Sequence, residues 1–213
     1  MIEYLLLDFL SQWFIVLLKT TEYPNIPSNP AESRLMLRQL NVQNTPIFIV
    51  LALILVGVLV WRYKPAKFRL LSWQAVGVGS ALFWSVFAGI MIWLAWDYYY
   101  RYYAPSWDRI VGPLAAFVLY FLLGLVLRWA ALHLPGNPIL TFCLLGGFES
   151  IPEHAVAIYR FHILQIPLLQ GTTAASIFIF AFFEYVVYWS IALCVVIILN
   201  RIFMVLLQRA SKA

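Results

Sequence analysis

Residues 148–154 of the chain read FESIPEH, and residues 160–162 read RFH. These stretches contain two carboxyl groups, one arginine and two of the three histidines, with long apolar runs on both sides. Ionisable side chains within such apolar sequence are costly to bury in a membrane, so they usually have a function. This segment therefore decides where the chemistry of the chain is expected and how the neighbouring helices must be arranged.

The composition is that of a membrane protein. Of the 213 residues, 64% are hydrophobic and only 11% are charged, whereas a soluble domain carries about 25% charged residues. A chain of this size cannot bury so much apolar surface in water, so lipid is the expected solvent. The net charge of +5 comes mainly from basic residues at the ends of apolar runs, as the topology rule for membrane proteins predicts. No polar surface alternates basic and aromatic residues, so we expect no nucleic-acid partner.

The apolar runs predict an all-α, polytopic membrane helix bundle with about six transmembrane helices. They form a single integral-membrane domain, residues 1–213. The spans are expected at approximately residues 4–19, 46–62, 70–96, 110–132, 139–169 and 172–200. The first is short, because crossing a membrane takes about 20 residues, and a helix lying in the interface is the alternative.

The fifth segment, residues 139–169, is too long for a straight span. As one helix it would measure about 46 Å, against a hydrocarbon core of about 30 Å. Pro152 removes one backbone hydrogen bond, and Ser150 and Glu153 have the spacing of a capping box that starts a new helix. We therefore predict a fifth helix that is kinked or broken between Gly147 and Pro152.

The strongest topological marker is the loop RYKPAKFR at residues 62–69, which contains four basic residues. Basic residues in short loops beside spans favour the cytoplasmic side. With six spans, the protein is a multi-pass integral membrane protein with both termini in the cytoplasm. If residues 139–169 instead turn back as a re-entrant hairpin, the charge balance and the orientation reverse.

Intramembrane carboxylates form the predicted catalytic site. Glu149 lies ten residues after Ile139 and Glu184 lies twelve after Thr172, which puts them about 15 Å and 18 Å from opposite faces. Both are therefore expected near the midplane on neighbouring spans. Two close carboxyls cannot both ionise cheaply there, so one should hold a proton, as acid–base chemistry requires.

The remaining site residues follow from their distance to this pair. Glu153 and His154 are expected to adjust the protonation of Glu149 and Glu184. A substrate is expected to contact polar groups towards the outer interface and aromatic walls. These substrate-binding candidates are Asp97, Tyr159, Arg160, His162, Tyr185, Tyr188 and Trp189.

Several of these residues also have a purely structural interpretation. Glu153 could be only the capping partner of Ser150. Glu184 could make a single structural hydrogen bond, and Arg160 could extend its charged end to the interface. The tyrosine-rich loop at residues 98–107, YYYRYYAPSW, fits an interfacial aromatic belt, and docking of a membrane-protein partner is the alternative.

The spacing of the histidines argues against a metal or haem, so we predict no metal and no cofactor. Neither Glu149 nor Glu153 has a histidine three residues later, as a di-iron bundle requires. His154 and His162 share one segment and cannot face each other across a haem. The HExxH, GxSxG and P-loop patterns do not occur.

The function expected from these features is that of a small integral-membrane enzyme. It would act on a lipidic or isoprenoid-like substrate by carboxylate acid–base chemistry in an intramembrane pocket, with membrane lipid as its surroundings. Two alternatives stay open. The same carboxylates would serve a proton- or cation-coupled carrier, and the glycine-rich third span and the tyrosine-rich loop would suit a non-catalytic subunit of a larger membrane complex.

Overall fold

The computed structural model of the chain describes residues 45–95, 110–155 and 174–211. These residues form one compact unit built from helices and short connections. In chain order the helices are α1 Thr45–Arg62, α2 Pro65–Arg69, α3 Trp73–Ala95, α4 Val111–His133, α5 Pro138–Ala155 and α6 Ala174–Ala210. The expected span at residues 4–19 and residues 156–169 of the fifth segment lie outside the described part.

Four of the helices, α1, α3, α4 and α6, are long and apolar enough to cross a membrane. Helix α6 packs against α1, α3 and α5, and α4 packs mainly against α3. The all-α fold class is therefore confirmed for the described residues. Helix α6 therefore lies beside α1, α3 and α5, whereas α4 lies against α3 and α5.

Two polar residues define where helices begin. The Oδ1 atom of Asn137 accepts hydrogen bonds from the backbone N–H groups of Ile139 (3.0 Å) and Leu140 (3.4 Å). Pro138 occupies the first turn of α5, where its missing N–H costs nothing. Ser72 caps α3 in the same way, because its Oγ accepts from the N–H of Ala75 at 3.1 Å.

One end of the bundle, which we call the basic end, carries the basic residues Arg62, Lys64, Lys67 and Arg69. Polar side chains join the connections there. Asn200 Oδ1 accepts from the N–H of Ser72 at 2.9 Å, and the Arg128 guanidinium donates to the carbonyl of Leu71 at 2.8 Å. These bonds tie the start of α3 to α6 and α4.

Tyr63 lies beside α6 at the same end. Burial raises the pKa of its hydroxyl, and the neighbouring positive charge of Arg201 acts in the opposite direction. The sequence predicts a loop over residues 62–69, whereas Pro65–Arg69 forms the short helix α2. Phe68 of α2 is fully buried and meets Phe142 of α5 edge-on, with 5.8 Å between ring centroids. Helix α2 therefore covers the interior of the bundle at the basic end.

Small residues let the long helices approach closely. A Cβ added at Gly79 of α3 would lie 2.9 Å from the Cα of Val196 on α6. A Cβ added at Gly124 of α4 would lie 2.8 Å from the Cβ of Ser80 on α3. Helix α3 therefore uses small residues on two faces, one against α4 and one against α6, as helices packed by close backbone contact do.

Of the two alternatives predicted for the fifth helix, kinked or broken, the break is wrong within the described residues. Helix α5 continues from Pro138 to Ala155 and includes Gly146, Gly147 and Pro152. Pro152 lies in its last turn, so only one backbone hydrogen bond is lost. The two glycines pack against α6, and this tertiary contact outweighs their weak helix propensity.

The capping box is wrong for the same reason. Ser150 lies inside α5, and its Oγ donates to the carbonyl of Gly147 at 2.7 Å instead of capping a new helix. Helix α6 also differs from the expected span, since it runs to Ala210 and not to residue 200. Its 37 residues measure about 55 Å. The helix continues past residue 200 because residues 201–210 contain no Gly or Pro that would end it.

The close contact at Gly79 yields a stability prediction. The Gly79→Ala variant should lose about 1–3 kcal/mol of stability, because the new methyl group meets backbone atoms of α6 that cannot rotate away. Unfolding of the purified protein in detergent, followed by tryptophan fluorescence, measures the loss. The control is Gly57→Ala, whose added Cβ has no atom within 4 Å. Equal stability of the two variants would contradict the packing described here.

Candidate functional site

The structure describes seven of the eleven predicted site residues. Glu149, Glu153 and His154 lie on α5, whereas Glu184, Tyr185, Tyr188 and Trp189 lie on α6. The other four, Asp97, Tyr159, Arg160 and His162, lie outside the described residues, as does the loop at residues 98–107. The described carboxyls and aromatic side chains are therefore the part of the site whose geometry can be stated.

Helices α5 and α6 run antiparallel, which puts these residues at matching levels. Glu149 lies eleven residues after Pro138 and Trp189 lies eleven before Asn200. Each is thus about 16 Å from the basic end. Glu153 and Tyr185 are each fifteen residues from the same reference points, about 22 Å from that end. The polar residues of the two helices consequently meet in two successive layers.

Glu153 is the common neighbour of the other two carboxyls. It interacts electrostatically with Glu149 and with Glu184. One oxygen, Oε2, accepts a hydrogen bond of 3.0 Å from the hydroxyl of Tyr120 on α4. The Glu153 side chain is exposed, so this carboxyl is the accessible member of the group. The three carboxyls and Tyr120 form what we call the acidic cluster.

Glu184 and Glu149 differ in their hydrogen bonding. The Oε1 of Glu184 accepts a bond of 2.7 Å from the hydroxyl of Tyr188, one turn further along α6. The Oε2 of Glu149 is buried and has no hydrogen-bond partner among the described residues. The polar neighbours of the Glu149 carboxyl are Glu153 and the indole N–H of Trp189. The Trp189 N–H has no hydrogen-bond partner among the described residues.

His154 is held in one tautomer. Its Nδ1 lies 2.9 Å from the carbonyl oxygen of Ser150. A carbonyl oxygen only accepts hydrogen bonds, so Nδ1 carries a hydrogen, and Nε2 is the basic nitrogen when the ring is neutral. The imidazole also meets the ring of Tyr185 edge-on, with 5.7 Å between centroids. Residue 154 is therefore fixed beside the aromatic side chains of α6.

An aromatic cluster surrounds the acidic cluster, with Trp84 of α3 at its centre. Trp84 stacks on Tyr120 with the ring centroids 4.2 Å apart and the planes 12° apart. It also contacts Tyr185 at 5.1 Å, Tyr188 at 5.5 Å and Trp189 at 5.9 Å. We call these five residues the Trp84 cluster. All five are at most 7% exposed, so the predicted aromatic walls on α6 face the interior of the bundle.

Sequence reasoning missed Trp84 and Tyr120. Both lie well inside apolar runs, whereas Trp and Tyr of membrane proteins are concentrated at the two interfaces. An aromatic hydroxyl or indole in the middle of a span needs a hydrogen-bond partner. That position is the signal that could have identified both residues, although it could not have named their partners.

An apolar layer separates the acidic cluster from the basic end. Phe142 of α5 and Leu193 and Val196 of α6 are each at most 1% exposed. Phe142 meets Trp189 edge-on at 5.5 Å, so the layer begins directly below Glu149. Among the described residues, access to the carboxyls is therefore from the side of Glu153.

An apolar groove of about 330 Å³ lies between α1, α5 and α6. It is lined by Gly57 and Val60 of α1, Leu144 of α5, and Phe182 and Phe183 of α6, together with further apolar residues. Gly57 keeps the groove open, because no atom lies within 4 Å of the position its Cβ would take. Phe182 and Phe183 directly precede Glu184 in α6, but no residue of the acidic cluster is among those that line the groove.

Comparison with protein-family models, with curated proteins and with solved structures finds no match. The chemistry must therefore be argued from the residues themselves. In the part of the chain that the structure describes, no three His, Cys, Asp or Glu side chains are grouped so that they could hold a metal ion. The site consists of carboxyls, phenols, one imidazole and indoles.

The bond between Tyr120 and Glu153 can be measured as a coupling energy. A double-mutant cycle of Tyr120→Phe and Glu153→Ala should give about 1 kcal/mol of coupling in the free energy of unfolding, as hydrogen bonds between membrane helices do. The control cycle combines Tyr120→Phe with Glu184→Ala. It should give none, since Glu184 is bonded to Tyr188. Equal coupling in both cycles would contradict the assignment.

Proposed function

We propose that the chain is a small integral-membrane enzyme that acts on a lipidic or isoprenoid-like substrate by carboxylate acid–base chemistry. The observation that carries the proposal is the acidic cluster: Glu153, bonded to Tyr120, interacts with both Glu149 and Glu184 inside a shell of aromatic side chains. Groups that give and take protons thus lie together with rings suited to an apolar substrate.

In the proposed arrangement α1, α3, α4 and α6 cross the membrane, and the protein is multi-pass. The basic end faces the cytoplasm, because Arg62, Lys64, Lys67 and Arg69 lie in one short connection beside two spans. The carboxyls then lie about 16–24 Å from the cytoplasmic end of a core about 30 Å thick. Acidic groups at that depth usually serve a reaction or a transport step.

Glu149 and Glu184 are assigned opposite roles. Glu149 is assigned the acid role, because its Oε2 is buried without a hydrogen-bond partner among the described residues, and a neutral carboxyl is less costly to bury in that way than a charged one. Glu184 is assigned the base role, because the hydroxyl of Tyr188 donates to its Oε1 and holds the carboxyl in place while the other oxygen takes up a proton. Glu153, which is exposed and neighbours both, returns the proton between them.

A reaction that adds a proton to a carbon–carbon double bond fits these roles. The acid gives its proton to one carbon of the double bond, and the electron pair of that bond forms the new C–H bond. The base removes a proton from a carbon next to the positive charge, and a new double bond forms. The step is an isomerisation, or a cyclisation if another double bond attacks first, and it needs no further reactant. Faces of Trp84, Tyr185 and Tyr188 would stabilise the positive charge.

The substrate's hydrocarbon chain is assigned to the groove between α1, α5 and α6. Its lining is apolar and includes Phe182 and Phe183, the two residues that precede Glu184 in α6. A linear chain lying there would have one end close to the base. The apolar layer of Phe142, Leu193 and Val196 favours an enzyme over a proton-coupled carrier, since a carrier needs access from both faces in turn.

The roles of the carboxyls can be tested by comparing lipid extracts. Cells that produce the wild-type chain should contain lipid products that mass spectrometry does not detect in cells producing Glu149→Gln or Glu184→Gln. The amides keep the size of the side chain but cannot exchange a proton, so product should fall by about 100-fold or more. Glu149→Asp, which keeps a carboxyl, is the control and should retain more product than Glu149→Gln.

Identical lipid profiles for the wild type and both amide variants would refute the enzyme. Proton uptake by liposomes with a pH-sensitive dye inside then tests the carrier. Uptake that depends on the wild-type Glu149 would favour that alternative.

The groove is tested by filling it. Gly57→Phe should reduce product formation at least about tenfold, because the ring occupies the space assigned to the substrate chain, with the melting temperature unchanged since that space is open. The control is Leu119→Phe, which adds a ring at a 55% exposed position on α4 outside the groove. Equal activity of the two variants would place the substrate elsewhere.

A further inference from the structure

Among the described residues, two buried polar atoms that lie on different helices at the same level of the bundle have no hydrogen-bond partner. They are Oε2 of Glu149 on α5 and Nε1 of Trp189 on α6. Buried polar groups are nearly always paired, and each exception calls for an explanation. One of the two is an acceptor and the other is a donor, so each is the chemical complement of the other.

The packing of Gly146 brings them close. A Cβ at this position would overlap Cδ1 of Trp189, the ring atom bonded to Nε1. The missing side chain therefore makes a notch in α5. The Cβ, Cγ and Cδ1 atoms of Trp189 lie in that notch, with Nε1 bonded to Cδ1. Trp189 is 0% exposed, so no solvent competes for this N–H.

Helix geometry directs the carboxyl of Glu149 towards the same notch. Glu149 follows Gly146 by three residues, so the two share one face of α5. Long side chains on a helix lean back over the preceding turn, which is the turn that contains the notch. The indole of Trp189 also interacts with this carboxyl, so the donor and the acceptor are neighbours.

We propose that the indole N–H of Trp189 is a positioning donor that forms a hydrogen bond to the Glu149 carboxylate once Glu149 has given up its proton. The neutral carboxyl leaves the donor unused, and the anion engages it. Trp189 thus stabilises the charged state that a proton transfer creates. The proposed hydrogen bond does not depend on the acid role of Glu149. Only its contribution to catalysis rests on the proposed function.

Other groups that face Glu149 could influence the same bond. They are Glu153 on its own helix, Tyr120 on α4, and Tyr185 with the more distant Glu184 on α6. Helix α1 contributes only Arg62, which lies at the basic end. The test must therefore separate ionisation of Glu149 from ionisation of Glu153.

The experiment follows the indole N–H signals of protein labelled with ¹⁵N-tryptophan, in detergent, as a function of pH. Signals are assigned with Trp189→Phe and Trp84→Phe. The Trp189 proton should move downfield as the carboxyl band of Glu149 disappears from the infrared spectrum. Trp84 is the matched control, because its N–H is also buried and without a partner among the described residues, while the groups that interact with Glu149 include Trp189 and not Trp84. Its signal should therefore shift less than that of Trp189, which it contacts.

Two results would overturn the inference. One is a Trp189 signal that stays constant while Glu149 ionises, and the other is a shift that persists in Glu149→Gln and vanishes in Glu153→Gln. The NMR readout does not depend on any substrate, so it tests the hydrogen bond even if no lipid product is found. The absence of a lipid product would refute only the proposed enzyme. If the product is found, Trp189→Phe should slow its formation about 10- to 100-fold, the usual worth of a hydrogen bond to a charged group.

Discussion

The close contact between α5 and α6 at Gly146 and Gly147 is the constraint on which the site depends. A side chain at Gly146 would occupy the position of the Trp189 indole, and one at Gly147 would meet Val186 and Phe182. Only with both positions open can the two backbones approach closely enough for carboxyls on one helix to reach aromatic side chains on the other. The same contact keeps α5 helical through a sequence whose local preferences oppose it.

Much of the fold could be predicted from sequence because hydropathy is a local property. Runs of apolar residues ended by Arg62, His133 and Asn137-Pro138 identify long helices and their turns without knowledge of their partners. Residues Glu149, Glu153 and Glu184 could be singled out for the same reason, since each is an isolated charge in apolar sequence. The arrangement of the last two helices follows from the short distance along the chain between them.

The remaining features depend on contacts between distant parts of the chain. Ser150 and Glu153 have capping-box spacing, but Glu153 is bonded to Tyr120, thirty-three residues away, and Ser150 to the carbonyl of Gly147. The position of Trp84, on a third helix, is equally invisible to a local pattern. The backbone hydrogen bond that Pro152 removes can be read from the local sequence. The close packing that Gly146 and Gly147 permit depends on α6, a distant part of the chain.

The central position of α6 has a consequence for biosynthesis. Its partners α1, α3 and α5 all precede it in the chain, so the ribosome completes α6 after them. Until α6 is present, the notch at Gly146 and the small face at Gly79 have no helix to pack against. Nascent chains that have emerged only as far as α5 are thus expected to remain loosely associated, and assembly becomes cooperative when α6 is added.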